Sequence, residues 1–359
     1  MTDVLCIIGT RPELPKTLPV VSALQDAGLD AALLSTGQHA TLIDLTAGGA
    51  IPNMPTLGIA SDGTLLRFVA KARAALRAKL LEEGKPRAIL VQGDTMSAFV
   101  GAEVATEFGV PLAHVEAGVR SGDRSEPWPE ELIRVEIDRI ATWRYAPTER
   151  AMRHLAKEAE PHILDGDHNL VVGNTSIDAL RLFTTATPRP EASDRILMTL
   201  HRRELRDAPD ALDMLGALME SIARLHVGVT WLVHPGMNET VGKLRLPSNL
   251  YVRPPLSHRE CATLLAESRG LFTDSGGLVE EAASLGVPTV IWRGANDRPE
   301  AVEAGIAIQI APTDPTGALR AMDVLASCAI PRKPSNVYGD GHAAERIATH
   351  LAAALTARG

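Results

Sequence analysis

Short apolar runs without polar alternation, each closed by a polar turn and followed by a helical pattern, constrain this chain more than any other feature. Residues 4–8, VLCII, open the series, and such a run is what a strand buried on both faces requires. Gly9-Thr10-Arg11-Pro12-Glu13 then turns into a helix predicted through about Asp26. A second run at 31–35 ends in Thr36-Gly37-Gln38-His39, and residues 64–81 set Leu65, Phe68, Val69, Ala72, Leu76 and Leu80 at helical spacing. A strand at 88–91 leads to Gln92-Gly93-Asp94, a helix covers 96–108, and a strand at 111–115 runs up to Glu116. Strand alternating with helix implies a parallel sheet with right-handed crossovers, whose functional groups gather beyond the carboxyl ends of the strands. Arg11, Gln38, His39, Asp94 and Glu116 stand at such ends.

The pattern continues with a helix near 130–142, a strand around 143–146, helix starts at 147–149 and 176, and a linker at 184–194 that has two prolines and no apolar periodicity. The second half repeats it: strands at 195–199, 230–233, 250–252, 270–273 and 288–292, with helices at 209–225, 257–268 and 278–285. An alanine-rich helix, 342–356, closes the chain. The predicted domains are 1–183 and 184–341, with the closing segment, about 342–359, packing back onto the first. The expected architecture is α/β: two doubly wound domains facing a central cleft. A length of 359 residues fits two domains.

A net charge of −8 argues against a nucleic-acid partner, whose footprint is basic and patchy. Three cysteines, Cys6, Cys261 and Cys328, have no metal-like spacing and read as reduced, mostly core thiols. The first apolar run is too short to span a membrane and lacks a basic flank or cleavage site, so the expectation is a soluble cytoplasmic protein with no membrane partner.

The acidic stretch 114–139, HVEAGVRSGDRSEPWPEELIRVEIDR, carries Glu116 on a strand end and Glu130 and Glu131 after the rigid Pro127-Trp128-Pro129. With Asp94 upstream, these carboxylates suit acid and base roles set apart by environment. The plainer reading is solvated loop charge and helix capping; placement at strand ends favours the functional one. Asp274-Ser275-Gly276-Gly277, between a strand and a helix, offers N–H groups to a phosphate or serves only as a tight turn. Glu280 and Glu281 after it favour the helix dipole or hold ribose hydroxyls. Arg11, Arg202, Arg203, Arg293 and Arg298, with His201, lie at or after strand ends and suit a pyrophosphate, although any one of them could be a surface ion pair. His114 reads as a buried, hydrogen-bonded histidine, whereas His39, His201 and His234 end strand patterns. None has metal spacing, no Walker lysine or GxGxxG occurs, and Ser275 is not in a GxSxG elbow.

GTRPE with Lys16, TGQH, QGDT, HVEAGVRS, PWPEE, VGNT, HRRE, DSGGLVEEAASLG, RPEAV and YGDG follow one another in this order. Together, over residues 4 to about 350, they resemble the non-hydrolysing UDP-N-acetylglucosamine 2-epimerases. The resemblance implies a GT-B fold of two Rossmann-like domains, a UDP-sugar substrate, no cofactor or metal, and a homodimer. It implies elimination of UDP with loss of the C2 proton, a bound 2-acetamidoglucal, and re-addition with the proton returned to the opposite face. Asp94, Glu116 and Glu130 match the family's catalytic carboxylates, with His201 near the phosphates. Arg11, Ser275, Gly276, Gly277 and Glu281 match UDP contacts, and Lys16 and Arg298 fall on ligand-facing positions.

Three departures stand out. Gln38-His39-Ala40-Thr41 and Ser61-Asp62-Gly63-Thr64 lack the arginines with which the family holds an activating second UDP-sugar, so that site is expected to be weakened or absent. Ile133 replaces the asparagine of PEExNR, and Ala295-Asn296-Asp297 replaces TTE before Arg298; both are expected near the sugar. Other readings remain open: a 2-epimerase of a related UDP-2-acetamido sugar, a hydrolysing 2-epimerase, a GT-B glycosyltransferase, and a UDP-sugar-binding sensor.

Overall fold

A computed structural model of the chain describes residues 2–39, 54–59, 64–124, 127–158, 168–183, 193–294, 296–312 and 314–358. Two compact units emerge, Met1–Leu182 with Gly339–Gly359, and Phe183–Tyr338. Most of the interdomain linker expected at 184–194 lies outside the described residues.

In the first unit β1 (Val4–Ile8), β2 (Ala31–Ser35), β3 (Ala88–Gln92), β4 (Leu112–Val115), β5 (Trp143–Ala146) and β6 (Asn169–Val171) pair in parallel, in the order β2-β1-β3-β4-β5-β6. The helices between and after them are α1 (Glu13–Asp26), α2 (Leu65–Glu83), α3 (Met96–Phe108), α4 (Glu130–Ile140), α5 (Glu149–Glu158) and α6 (Thr175–Phe183). The central strands of this sheet are buried on both faces, which is why β1 is apolar at every position. Val4, Cys6 and Ile8 join Leu14, Val20 and Leu24 on one side, while Leu5 and Ile7 join Phe68, Leu76, Val104 and Ile137 on the other.

The second unit holds β7 (Arg195–Leu200), β8 (Gly228–Val233), β9 (Leu250–Arg253), β10 (Gly270–Thr273), β11 (Thr289–Trp292) and β12 (Ala307–Ile310), parallel in the order β12-β11-β10-β7-β8-β9. Its helices are α7 (Arg203–Arg206), α8 (Ala211–Ala223), α9 (Asn238–Gly242), α10 (His258–Glu267), α11 (Gly276–Leu285), α12 (Glu300–Glu303) and α13 (Pro315–Ala326). The last helix, α14 (Ala343–Arg358), belongs to the first unit and packs Ile347, Leu351 and Leu355 against the β1–α1 layer. Tyr145 Oη meets His350 Nδ1 at 2.9 Å, and the Arg358 guanidinium lies 5.0 Å from the Trp143 ring centre.

Strand order reverses beside β1 and β3 in the first unit and beside β7 and β10 in the second. Open α/β sheets form their ligand crevices at such points. The expected two-domain Rossmann-like fold is present, with differences in detail. β12 and α13 carry no strong sequence signal; β12 is a half-buried four-residue edge strand. α11 begins at Gly276, so Glu280 and Glu281 sit beyond its first turn and are not the dipole partners expected. Only Cys6 among the free cysteines is buried, and burial pushes its thiol up to about 12. No described helix is long and apolar enough to cross a membrane.

Candidate active site

Three strand-end loops of the first unit are tied together by buried polar side chains. After β1, Glu13 accepts from Gly9 N at 2.9 Å, Thr10 N at 2.6 Å and Thr10 Oγ1 at 2.8 Å, while its other oxygen takes the Thr95 hydroxyl at 2.6 Å. Burial still pushes the Glu13 carboxyl above its ordinary value, against those bonds. Gly9 has no alternative there: a Cβ would lie 1.8 Å from Ser97 Oγ. His39 Nδ1 accepts from Arg11 N at 3.3 Å, which docks the β2 loop on the same turn.

Glu116, immediately after β4, has a φ of 72°, the left-handed region that costs a non-glycine residue on the order of 1–3 kcal/mol. Such an outlier persists where its surroundings determine it. Its Oε2 accepts from Lys16 Nζ at 2.9 Å and Gln92 Nε2 at 2.7 Å. The Thr175 hydroxyl donates to Gln92 Oε1 at 3.2 Å, so α6 fixes which end of that amide meets Glu116. Asp94 is ion-paired with Arg134 of α4, whose second nitrogen reaches Glu131 Oε2 at 3.2 Å. Glu131 is buried and accepts from Ser121 N at 3.0 Å and Gly122 N at 3.3 Å, so it supports the loop instead of joining Glu130. Glu130, first residue of α4, is half-buried, and its carboxylate has no hydrogen bond or ion pair among the described residues.

In the second unit the loops after β7 and β10 meet across the strand reversal. Asp274 Oδ2 accepts from His201 N and Arg202 N, each at 2.8 Å, and its Oδ1 lies 3.2 Å from His201 Nδ1. Thr199 and Thr273 hydroxyls bond at 2.6 Å, and Ser275 N donates to Thr273 Oγ1 at 2.9 Å. Burial lowers the His201 pKa, and Arg202, His234 and Arg293 push the same way against Asp274. The His201 and His234 ring centres are 6.1 Å apart. Ser275 caps α11 without using its hydroxyl. Gly276 opens the helix where a Cβ would lie 2.9 Å from Arg298 Nη1, so glycine admits the guanidinium.

Two of the arginines expected to present themselves to an anion, Arg293 and Arg298, are tied into their own unit. Arg298 pairs with Glu280 through Nε and with Asp297 at 2.6 Å, and Asp297 takes Arg293 Nη1 at 3.3 Å. Tyr338 donates to Arg298 O at 2.9 Å and accepts from Ala301 N at 3.1 Å, holding that loop. Glu281 is buried and receives His258 Nε2 at 3.0 Å. The Arg203 side chain lies outside the described residues.

The sequence profile of the UDP-N-acetylglucosamine 2-epimerase family matches residues 22–352. This chain belongs to that family. It is 35% identical to a probable UDP-N-acetylglucosamine 2-epimerase of Ralstonia solanacearum, over 97% of this chain and 98% of the relative. It is 33% identical to the UDP-N-acetylglucosamine 2-epimerase of Bacillus subtilis, over 97% and 94% of the two chains. The crystal structure of the Methanocaldococcus jannaschii epimerase in complex with UDP-GlcNAc and UDP superposes with a TM-score of 0.84 at 31% identity, covering 97% of this chain and 99% of that one.

Two of the three departures from the epimerase pattern can be located. Ile133, expected near the sugar, is buried in the apolar layer shared with Phe68, Val104 and Ile137, where it packs α4 against its sheet. Asp297 occupies the other variable stretch and joins the Arg293–Arg298 pairing; Ala295 lies outside the described residues. Ala40, Thr41 and 61–63, on which the loss of an activator site was read, also lie outside them. Sequence reasoning missed Arg134, Gln92 and Glu13. Arg134 left a signal in being three residues after Glu131 on a helix, where such pairs meet, and Glu13 and Gln92 fall within GTRPE and QGDT.

Proposed function

We propose that this epimerase interconverts UDP-N-acetylglucosamine and UDP-N-acetylmannosamine by the non-hydrolysing route. The C2 proton has no adjacent carbonyl, so direct deprotonation is slow, and departure of UDP from C1 as the proton leaves C2 avoids that step. Breaking C1–O and C2–H gives bound 2-acetamidoglucal and UDP. Re-addition of UDP at C1 with delivery of a proton to the opposite face of C2 completes the inversion. Asp94, Glu116 and Glu130 are assigned the proton transfers, each contributing roughly 10²–10⁴ in rate. Lys16 and Gln92 orient Glu116, and Arg134 orients Asp94. Ser275, Gly276, Gly277, Glu281, Arg298 and Arg11 are assigned to UDP, with His201 beside the diphosphate.

The observation that carries this reading is Glu116: a carboxylate on a left-handed backbone, held by an ammonium and an amide, at the edge where Asp94 and Glu130 also stand. A nucleotide-binding module needs no such device. Proton NMR of UDP-N-acetylglucosamine with the protein in D₂O tests it. The expected result is deuterium at C2 in both UDP-sugars. Free N-acetylmannosamine would mark the hydrolysing reaction, and absence of deuterium a transferase or a binder.

A further inference from the structure

The buried pair His114–Asp138 lies behind the carboxylate edge and holds two of its loops at once. His114 is the third residue of β4, fully buried, and Asp138 lies on the inner face of α4 with 4% exposure. His114 Nε2 is 2.9 Å from Gly93 O, and a carbonyl can only accept, so the ring donates there. Nδ1 is 2.6 Å from Asp138 Oδ1. The second oxygen of Asp138 accepts from Gly118 N at 2.9 Å and pairs with Arg120 at 2.8 Å. One end of the pair therefore grips the turn that carries Asp94, and the other grips the loop two residues past Glu116. Burial opposes ionisation of Asp138, but His114, Arg120 and the Gly118 N–H outweigh it and hold the carboxyl below its ordinary value.

We propose that His114 and Asp138 are positioning residues that set the placement of Asp94 relative to Glu116 by fixing both backbones from a shared buried bridge. The inference rests on the assignment of those two carboxylates to proton transfer. Neither His114 nor Asp138 touches substrate in this scheme. A shift of about 1 Å in a reacting group can cost on the order of 100-fold in rate, so the bridge acts on turnover rather than on nucleotide affinity.

His114→Asn and His114→Gln separate the two ends of the bridge. The asparagine amide reaches only the Nδ1 position, toward Asp138, whereas the longer glutamine amide reaches the Nε2 position, toward Gly93. The measurements are kcat and KM for C2 exchange, UDP affinity by calorimetry, and thermal unfolding. The expected result is a kcat loss of about 100-fold in both variants, each of which cuts the bridge at one end, with KM and UDP affinity near the parent's. D138N, which weakens the hold on Gly118, is expected to lower kcat in the same way and serves if H114N does not fold. Variants that fold, bind UDP and exchange at the parent rate overturn the inference alone. A kcat loss confined to one of H114N and H114Q overturns it as well, since a bridge fails when either end is cut. A parent protein without exchange overturns the functional reading, and the inference with it.

Discussion

The two units are built alike, yet their switch-point loops are furnished for different work. In the first, the residues beyond β1, β3 and β4 are carboxylates steadied by single cations and amides: Lys16 and Gln92 on Glu116, and Arg134 on Asp94. In the second, the residues beyond β7, β8 and β10 are a backbone-anchored aspartate, two neighbouring histidines and a glycine-opened helix packed with arginine. The same topology places both sets at the same kind of edge. What differs is the kind of group offered there, and on that difference proton transfer is assigned to one unit and the anion to the other.

That contrast can be attacked from the first unit. Asp94→Asn and Glu130→Gln should each lower C2 exchange by roughly 10²–10⁴ while UDP affinity by calorimetry stays close to the parent's. A matching collapse of affinity would erase the division. Ile133→Asn should unfold the protein earlier, by roughly 2–4 kcal/mol in denaturant titration, because it removes a buried side chain and leaves an amide in an apolar layer. Exchange per folded molecule should stay near the parent's; a large loss of kcat with unchanged stability would move residue 133 from the core to the site.

The second unit is challenged by Gly276→Val. The added side chain collides with Arg298 and crowds the α11 N-terminus, so UDP should bind about tenfold more weakly, about 1.4 kcal/mol. The chemical step measured at saturating substrate should hardly change.

The smallest effect concerns His201. Its folded pKa is depressed, chiefly by burial, so the unfolded chain takes a proton first and this residue costs stability as pH falls below about 6.5. A diphosphate beside the ring favours the charged imidazole, so UDP binding should draw in a proton. Affinity should then rise as pH falls from about 7.5 toward about 6. The rise should shrink in His201→Asn, whose difference from the parent removes the titration of UDP itself.

Much of this was legible in the sequence because buried parallel strands announce themselves, and their carboxyl ends fix where functional groups emerge. Asp94, Glu116 and His201 stand beyond strand ends, as the sequence pattern places them. β12 was not legible, because a short half-buried edge strand has neither a long apolar run nor alternation. The partners that orient the carboxylates were also hidden. Gln92 and Glu116 are 24 residues apart, Asp94 and Arg134 are 40 apart, and only the folded sheet brings them together. Ile133 shows a different case: its closeness in sequence to Glu130 points toward the sugar, whereas its side chain packs in the core layer.

The central claim is that Glu116 moves a proton and does not bind nucleotide. Glu116→Gln keeps the shape and an acceptor oxygen for Lys16 or Gln92 while removing the base. With UDP-N-acetylglucosamine in D₂O, the parent should place deuterium at C2 and the variant should not, with both binding UDP to a similar extent. Deuterium incorporation by the variant at the parent rate would contradict the account, as would loss of UDP binding.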